Sequence, residues 1–140
     1  FLIIFFIFEN FALNPYQYTW LNSFAKFYEI DKNFEVDYWG ISGKNLNLEI
    51  KDHRKQKNLK KNICIYGGNY SKVFLEKYGF ECFKSYSELD AAKDRPFYVI
   101  KNVRNMRRSN PKDCNVIHRE TYEYNFSDKK VLAGSAWYCD

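Results

Sequence analysis

The sequence predicts an α/β domain with a small mixed β-sheet, packed helices and a C-terminal β-hairpin, an α+β arrangement being the alternative. Three observations carry that expectation. Residues 63–83 read as strand, glycine turn, helix and strand in succession. Pro96-Phe97-Tyr98-Val99-Ile100 has the length and apolar continuity of a buried strand. Two β-rich stretches near the end flank the turn sequence Ser127-Asp128-Lys129-Lys130. With 140 residues, 46% of them hydrophobic, the chain has about one domain's length and enough apolar material for a single core.

Taken in order, Phe1 to Phe8 is eight consecutive apolar residues with no basic segment ahead of them. A bilayer crossing takes about 20 residues, and a signal peptide has a charged start and a small-residue cleavage site. The run is therefore expected to be the end of a truncated transmembrane helix, residues 1–13, closing near Glu9 and Asn10. Tyr16, Tyr18 and Trp20 follow at the depth where amphipathic aromatics favour the interface. The alternative is a buried N-terminal strand or helix of a soluble protein. Residues 14–140 are expected to form one extracytoplasmic α/β domain.

Asn14-Pro15 stops what precedes it, because proline disfavours helical backbone at the residue before it and presets its own φ for a new start. Tyr16, Trp20, Leu21, Phe24, Phe27 and Tyr28 then fall close to one face of an amphipathic helix. Ser42 is placed to cap a helix running through Leu46 and Ile50 to Lys55, although Leu46, Leu48 and Ile50 also alternate as a strand would. Lys51, Arg54, Lys55, Lys57, Lys60 and Lys61 read as a solvated helix end or loop.

Ile63 to Tyr66 predicts a strand that breaks at Gly67-Gly68. A helix over residues 70–78 follows, with Val73, Phe74 and Tyr78 on its apolar side and Gly79 ending it. Phe80 to Phe83 predicts a short strand, and Ser87 to Ala92 a helical turn or two. Residues 102–115, with Arg104, Arg107, Arg108 and Lys112, read as a loop. Residues 116–126 and 131–138 form the closing hairpin.

Few patterns carry chemistry. Backbone N–H groups at a strand-to-helix turn can cradle a phosphate, which makes Gly67 and Gly68 candidate phosphate contacts. The turn lacks both the GxGxxG spacing and the Lys-Ser/Thr of a P-loop, and any tight βα turn favours two glycines. His118 and Glu120 form an HxE pair that would share one side of a strand, but no PCxxC element accompanies it. His53 and His118 read as surface or half-buried side chains. No catalytic residue, metal site or cofactor is expected within the chain.

Cys64, Cys82, Cys114 and Cys139 include no CxxC pair, so isolated buried thiols are expected, with up to two disulfides the alternative in an oxidising compartment. The formal charge of +5 suits a nucleic-acid face, an anionic membrane or simple solubility. The aromatics lie in the periodic segments and not among the arginines, so a solvated loop is expected at Arg104 to Arg108. Contact with anionic lipid head groups is the sharper alternative there, and nucleic acid is not the expected partner.

Two segments go further: Asn14-Pro15-Tyr16-Gln17-Tyr18 with Asn22 shortly after, and Phe34-Glu35-Val36-Asp37-Tyr38-Trp39-Gly40-Ile41-Ser42. In content, order and separation they resemble the stretch after the last membrane helices in polytopic glycosyltransferases of the GT-C superfamily, the dolichyl-phosphate-mannose-mannosyltransferase-like proteins of bacteria. The family usually has His where this chain has Asn14, and the likeness fades after Ile50. The resemblance implies a membrane protein with this domain on the extracytoplasmic side, attached to the transmembrane part of the same polypeptide. The enzyme would move a sugar from a polyprenyl-phosphate carrier to an acceptor. It also implies that the catalytic acid lies in an early loop outside the chain. Pro15, Tyr16, Gln17, Tyr18, Asn22, Asp37, Tyr38, Trp39, Gly40 and Ser42 would then seat the domain on its membrane part or line an acceptor cleft. A free-standing module binding a phosphorylated ligand or RNA is the competing expectation.

Overall fold

A computed structural model describes residues 2–12, 42–60, 62–68, 71–92, 95–102, 105, 108–123 and 130–140. The expected helix over residues 16–28, the motif residues before Ser42 and the hairpin turn at 127–129 lie outside them.

The β-rich segments assemble into one mixed sheet. Strands β1 (Cys64–Tyr66), β2 (Cys82–Lys84), β3 (Phe97–Asn102), β4 (Asn115–Glu123) and β5 (Lys130–Cys139) stand in the order β2-β1-β3-β5-β4. β1 pairs in parallel with β2 and β3, and β5 pairs antiparallel with β3 and β4. The α/β class, the mixed sheet and the closing hairpin are as the sequence predicts.

The period-2 alternation of strand side chains feeds two cores. On the first face Ile65, Tyr98, Ile100, Ala136 and Tyr138 meet the helix α2 (Ser42–Gln56) through Leu46 and Ile50. Both are fully buried, and burying each stabilises the fold by about 2 kcal/mol. The small residue Gly134 lets α2 approach: a Cβ there would lie 2.8 Å from Leu46 Cδ1 and 2.9 Å from Ser42 Oγ. On the second face Tyr66, Phe97, Val99, Trp137 and Cys139 are covered by Tyr86, from a 3₁₀ turn spanning Tyr86–Ala91. Ser85 starts that turn with a capping box shared with Glu88, satisfying two otherwise orphaned backbone donors.

Two expectations need correcting here. The helix α3 is shorter than predicted, Lys72–Lys77, and it buries Leu75 while Val73 and Phe74 are 64% and 52% exposed. In a helix of six residues one position faces the sheet, and Leu75 takes it, with its Cδ1 3.2 Å from where a Cβ on Gly68 would be. The cysteines are not isolated thiols: Cys64–Cys82 and Cys114–Cys139 are disulfides. Strand pairing explains this, since Cys64 and Cys82 are register partners 4.5 Å apart at Cα, and Cys114 and Cys139 come within 4.2 Å at the end of the hairpin.

In the basic run after Lys51, Lys55, Lys57 and Lys60 are exposed as expected, but Arg54 turns toward the core margin. Arg54 donates to the carbonyls of Gly79 and Tyr78, and its guanidinium carbon lies 3.9 Å from the centre of the Phe80 ring. The long stem and planar head of arginine suit it to covering an aromatic at a core margin.

The apolar N-terminal run forms a helix, α1 (Leu2–Ala12), that leaves Ile3, Ile4, Ile7, Phe8 and Phe11 exposed. No helix among the described residues is long and apolar enough to cross a membrane.

Candidate functional site at the carboxyl ends of the parallel strands

In open α/β sheets whose parallel strands run in the order 2-1-3, ligands sit beyond the carboxyl ends of strands 1 and 3, where the crossovers diverge. Here that end contains Gly67, Gly68, Asn102 and the first turn of α2. Ser42 Oγ lies near Gly134, the register partner of Asn102, which puts the start of α2 at this end. The disulfides lie at the opposite end, where β1 and β3 begin.

The glycine turn is closely packed. Gly67 has φ +81°, and a Cβ on it would overlap the carbonyl oxygen of Ile100. Its N–H donates to the carbonyl of Lys84 at 2.9 Å. A Cβ on Gly68 would stand 3.0 Å from Ile65 Cγ2. Backbone approach between β1 and β3 therefore accounts for Gly67, and side-chain packing of Ile65 and Leu75 accounts for Gly68, while the Gly67 amide is already in use. The Ser71 N–H donates to the Gly68 carbonyl at 2.9 Å, and Gly43 faces Ser71, so the first turns of α2 and α3 meet.

Of the sequence-derived motif, Ser42 is described: it is the first residue of α2, 1% exposed. Pro15, Tyr16, Gln17, Tyr18, Asn22, Asp37, Tyr38, Trp39 and Gly40 lie outside the described residues. One turn further along α2, Asn47 is 1% exposed, and among the described residues neither its Nδ2 nor its Oδ1 has a hydrogen-bond partner. A buried amide in that state costs stability, and residue type gave no sign of it because Asn is commonly exposed.

The two histidines join α2 to the sheet. His118 Nε2 lies 3.0 Å from Glu120 Oε2, which confirms that the HxE pair shares one side of β4. The other Glu120 oxygen accepts from Asn45 Nδ2 at 2.9 Å, and Glu49 Oε1 lies 3.9 Å from His118 Nδ1. No cluster of three or more His, Cys, Asp or Glu among the described residues is arranged to hold a metal ion.

His53 packs against Tyr138 with ring centres 4.9 Å apart, and its Nδ1 lies 3.0 Å from the Tyr98 hydroxyl. Burial, helped by the charge of Lys57, holds the imidazole pKa below its ordinary value. Burial also raises the Tyr98 phenol, Tyr138 adds to the rise and Arg54 opposes it. Both shifts favour the neutral forms, so the imidazole and the phenol share a hydrogen bond between uncharged groups.

Sequence reading also missed a groove on the second face, formed by residues far apart in the chain. Arg95, Arg108 and Lys112 converge there with Asp90, beside Tyr86 and Phe97.

Comparison with family models, with curated proteins and with solved structures finds no match to this chain.

Proposed function

We propose that this chain is an accessory extracytoplasmic domain of a membrane-embedded glycosyltransferase, one that transfers a sugar from a polyprenyl-phosphate donor to an acceptor, with the catalytic residues lying outside the chain. The observation that carries the reading is α1. Ile3, Ile4, Ile7, Phe8 and Phe11, between 60% and 83% exposed, fall on one side of a helix at about 100° per residue. Apolar surface in water costs roughly 25 cal/mol per Å², and a hydrocarbon environment removes that cost.

Two further features support it. Both described disulfides belong to an oxidising compartment, which an extracytoplasmic face provides. The motif pair at residues 14–22 and 34–42 resembles the membrane exit of GT-C transferases. On this reading the end of the sheet where α2 begins faces the transmembrane part of the same polypeptide, the membrane surface and the acceptor. The disulfide end points away.

The test removes residues 42–140 from the full-length enzyme and measures transfer from a polyprenyl-phosphate sugar. Loss of transfer by the truncated enzyme, with no transfer by the isolated chain, is the expected result. Undiminished transfer by the truncated enzyme would overturn the proposed role.

A further inference from the structure

The groove on the second face lies between the 3₁₀ turn Tyr86–Ala91 and the segment 108–112, over Phe97. Its volume is about 560 Å³, within the usual range for small-molecule sites. The two walls are tied together: the Tyr86 hydroxyl donates to the Ser109 carbonyl at 3.2 Å, and the Arg108 guanidinium carbon lies 5.5 Å from the Tyr86 ring centre.

Its electrostatics are one-sided. Among the described residues Arg95, Arg108 and Lys112 line it against one carboxylate, Asp90. Directly behind the segment 108–110 sits Lys101, 3% exposed. Its Nζ donates to the Arg108 carbonyl at 2.8 Å and to Asn110 Oδ1 at 2.9 Å, with the Ser109 carbonyl at 3.5 Å. Arg95 is likewise held by backbone oxygens, those of Lys112, Asp113 and Asp140. Among the described residues neither Lys101 nor Arg108 has a carboxylate partner. A buried ammonium held by neutral oxygens alone carries a desolvation cost that an anion nearby would offset.

We propose that this groove binds a small phosphorylated polyol, its phosphate on Arg108 and Lys112 and its hydroxyl groups on Asp90 and Asn110. Three lining cations against one carboxylate leave a surplus of two positive charges, and a phosphate monoester carries about −1.5 to −2 at neutral pH, closer to that surplus than a carboxylate is. Asp90 would repel a bare anion but accepts hydrogen bonds from hydroxyls, and Asn110 adds a polar amide to the same lining. The ligand thus needs both groups. The inference rests on the groove alone and does not need the membrane assignment.

The experiment is an amide NMR titration of the ¹⁵N-labelled whole chain in a neutral detergent, with glucose 1-phosphate, inorganic phosphate and glucose as separate probes. Saturable shifts concentrated at residues 86–92 and 108–112, strongest for glucose 1-phosphate, are expected. Arg108→Gln should weaken that binding about tenfold, as should Lys112→Gln, each removing one charge-assisted contact, while Lys57→Gln, in the exposed turn after α2, leaves it unchanged. Non-saturating shifts spread over the basic surface would overturn the proposal. So would equal binding of glucose, equal binding of inorganic phosphate, or retention of affinity in both groove variants.

Discussion

Gly67 and Ile100 touch through their backbones: the α-carbon of the glycine faces the carbonyl oxygen of Ile100 so closely that no Cβ fits between them. This contact joins the turn after β1 to the last residues of β3 at the carboxyl end of the parallel strands. Gly67→Ala meets both a positive φ and this overlap, and is expected to cost about 2–3 kcal/mol in a urea unfolding experiment. Gly79→Ala has a positive φ of +77° but only an ordinary contact with Arg54, so about 1 kcal/mol is expected. Equal costs for the two variants would contradict the close approach.

The disulfides enclose separations of 18 and 25 residues. Chain entropy assigns each about 3 kcal/mol, a large share of the stability of a domain this size. Replacing Cys64 and Cys82 by Ser, or Cys114 and Cys139 by Ser, should each lower the urea midpoint markedly. Free-thiol titration of the unfolded wild-type chain should find none. Four reactive thiols in protein isolated without reductant would remove the support that the disulfides lend to an extracytoplasmic domain.

His53 provides a pH dependence. Its folded-state pKa is lowered, by burial first and Lys57 second, so below pH 6.5 the unfolded chain binds the proton more readily than the folded one. The contribution of neutral His53 is therefore complete above pH 6.5 and is lost as pH falls through the lowered value. His53→Gln keeps a polar group facing Tyr98 without titrating, and should reduce the loss of stability between pH 7 and pH 5. An unchanged loss would assign the acid sensitivity elsewhere.

The buried side-chain amide of Asn47 has no hydrogen-bond partner among the described residues. Asn47→Leu replaces both unsatisfied groups with methyls on the same branched skeleton and should raise stability by about 1 kcal/mol in thermal or urea unfolding. A fall of the same size would show that the amide finds a partner in solution.

Much of the sheet was legible in the residues. The run Phe97 to Ile100 is buried throughout, and an apolar stretch bounded by Pro96 says as much on sight. Gly79 ends α3 with positive φ, the local signal that sequence shows best. What was not legible depends on register. The Cys64–Cys82 bond follows from β1 and β2 lying side by side, and no spacing along the chain announces that. Val73 and Phe74 face outward because the short helix is steered by Gly68 and Leu75, a tertiary constraint that overrides apolar spacing. The cationic groove was invisible for the same reason, since Tyr86, Arg95 and Arg108 meet only once the chain has crossed the second face.

The account turns on where the exposed stripe of α1 resides. The direct measurement places a nitroxide at Ile7→Cys, reconstitutes the whole chain in lipid nanodiscs and compares its accessibility to oxygen with that to a water-soluble nickel chelate. The account predicts oxygen access well above nickel access at Ile7, with the reverse for a label at exposed Lys57. Nickel access exceeding oxygen access at Ile7 would show the stripe to be in water, and would contradict the membrane-anchored assignment.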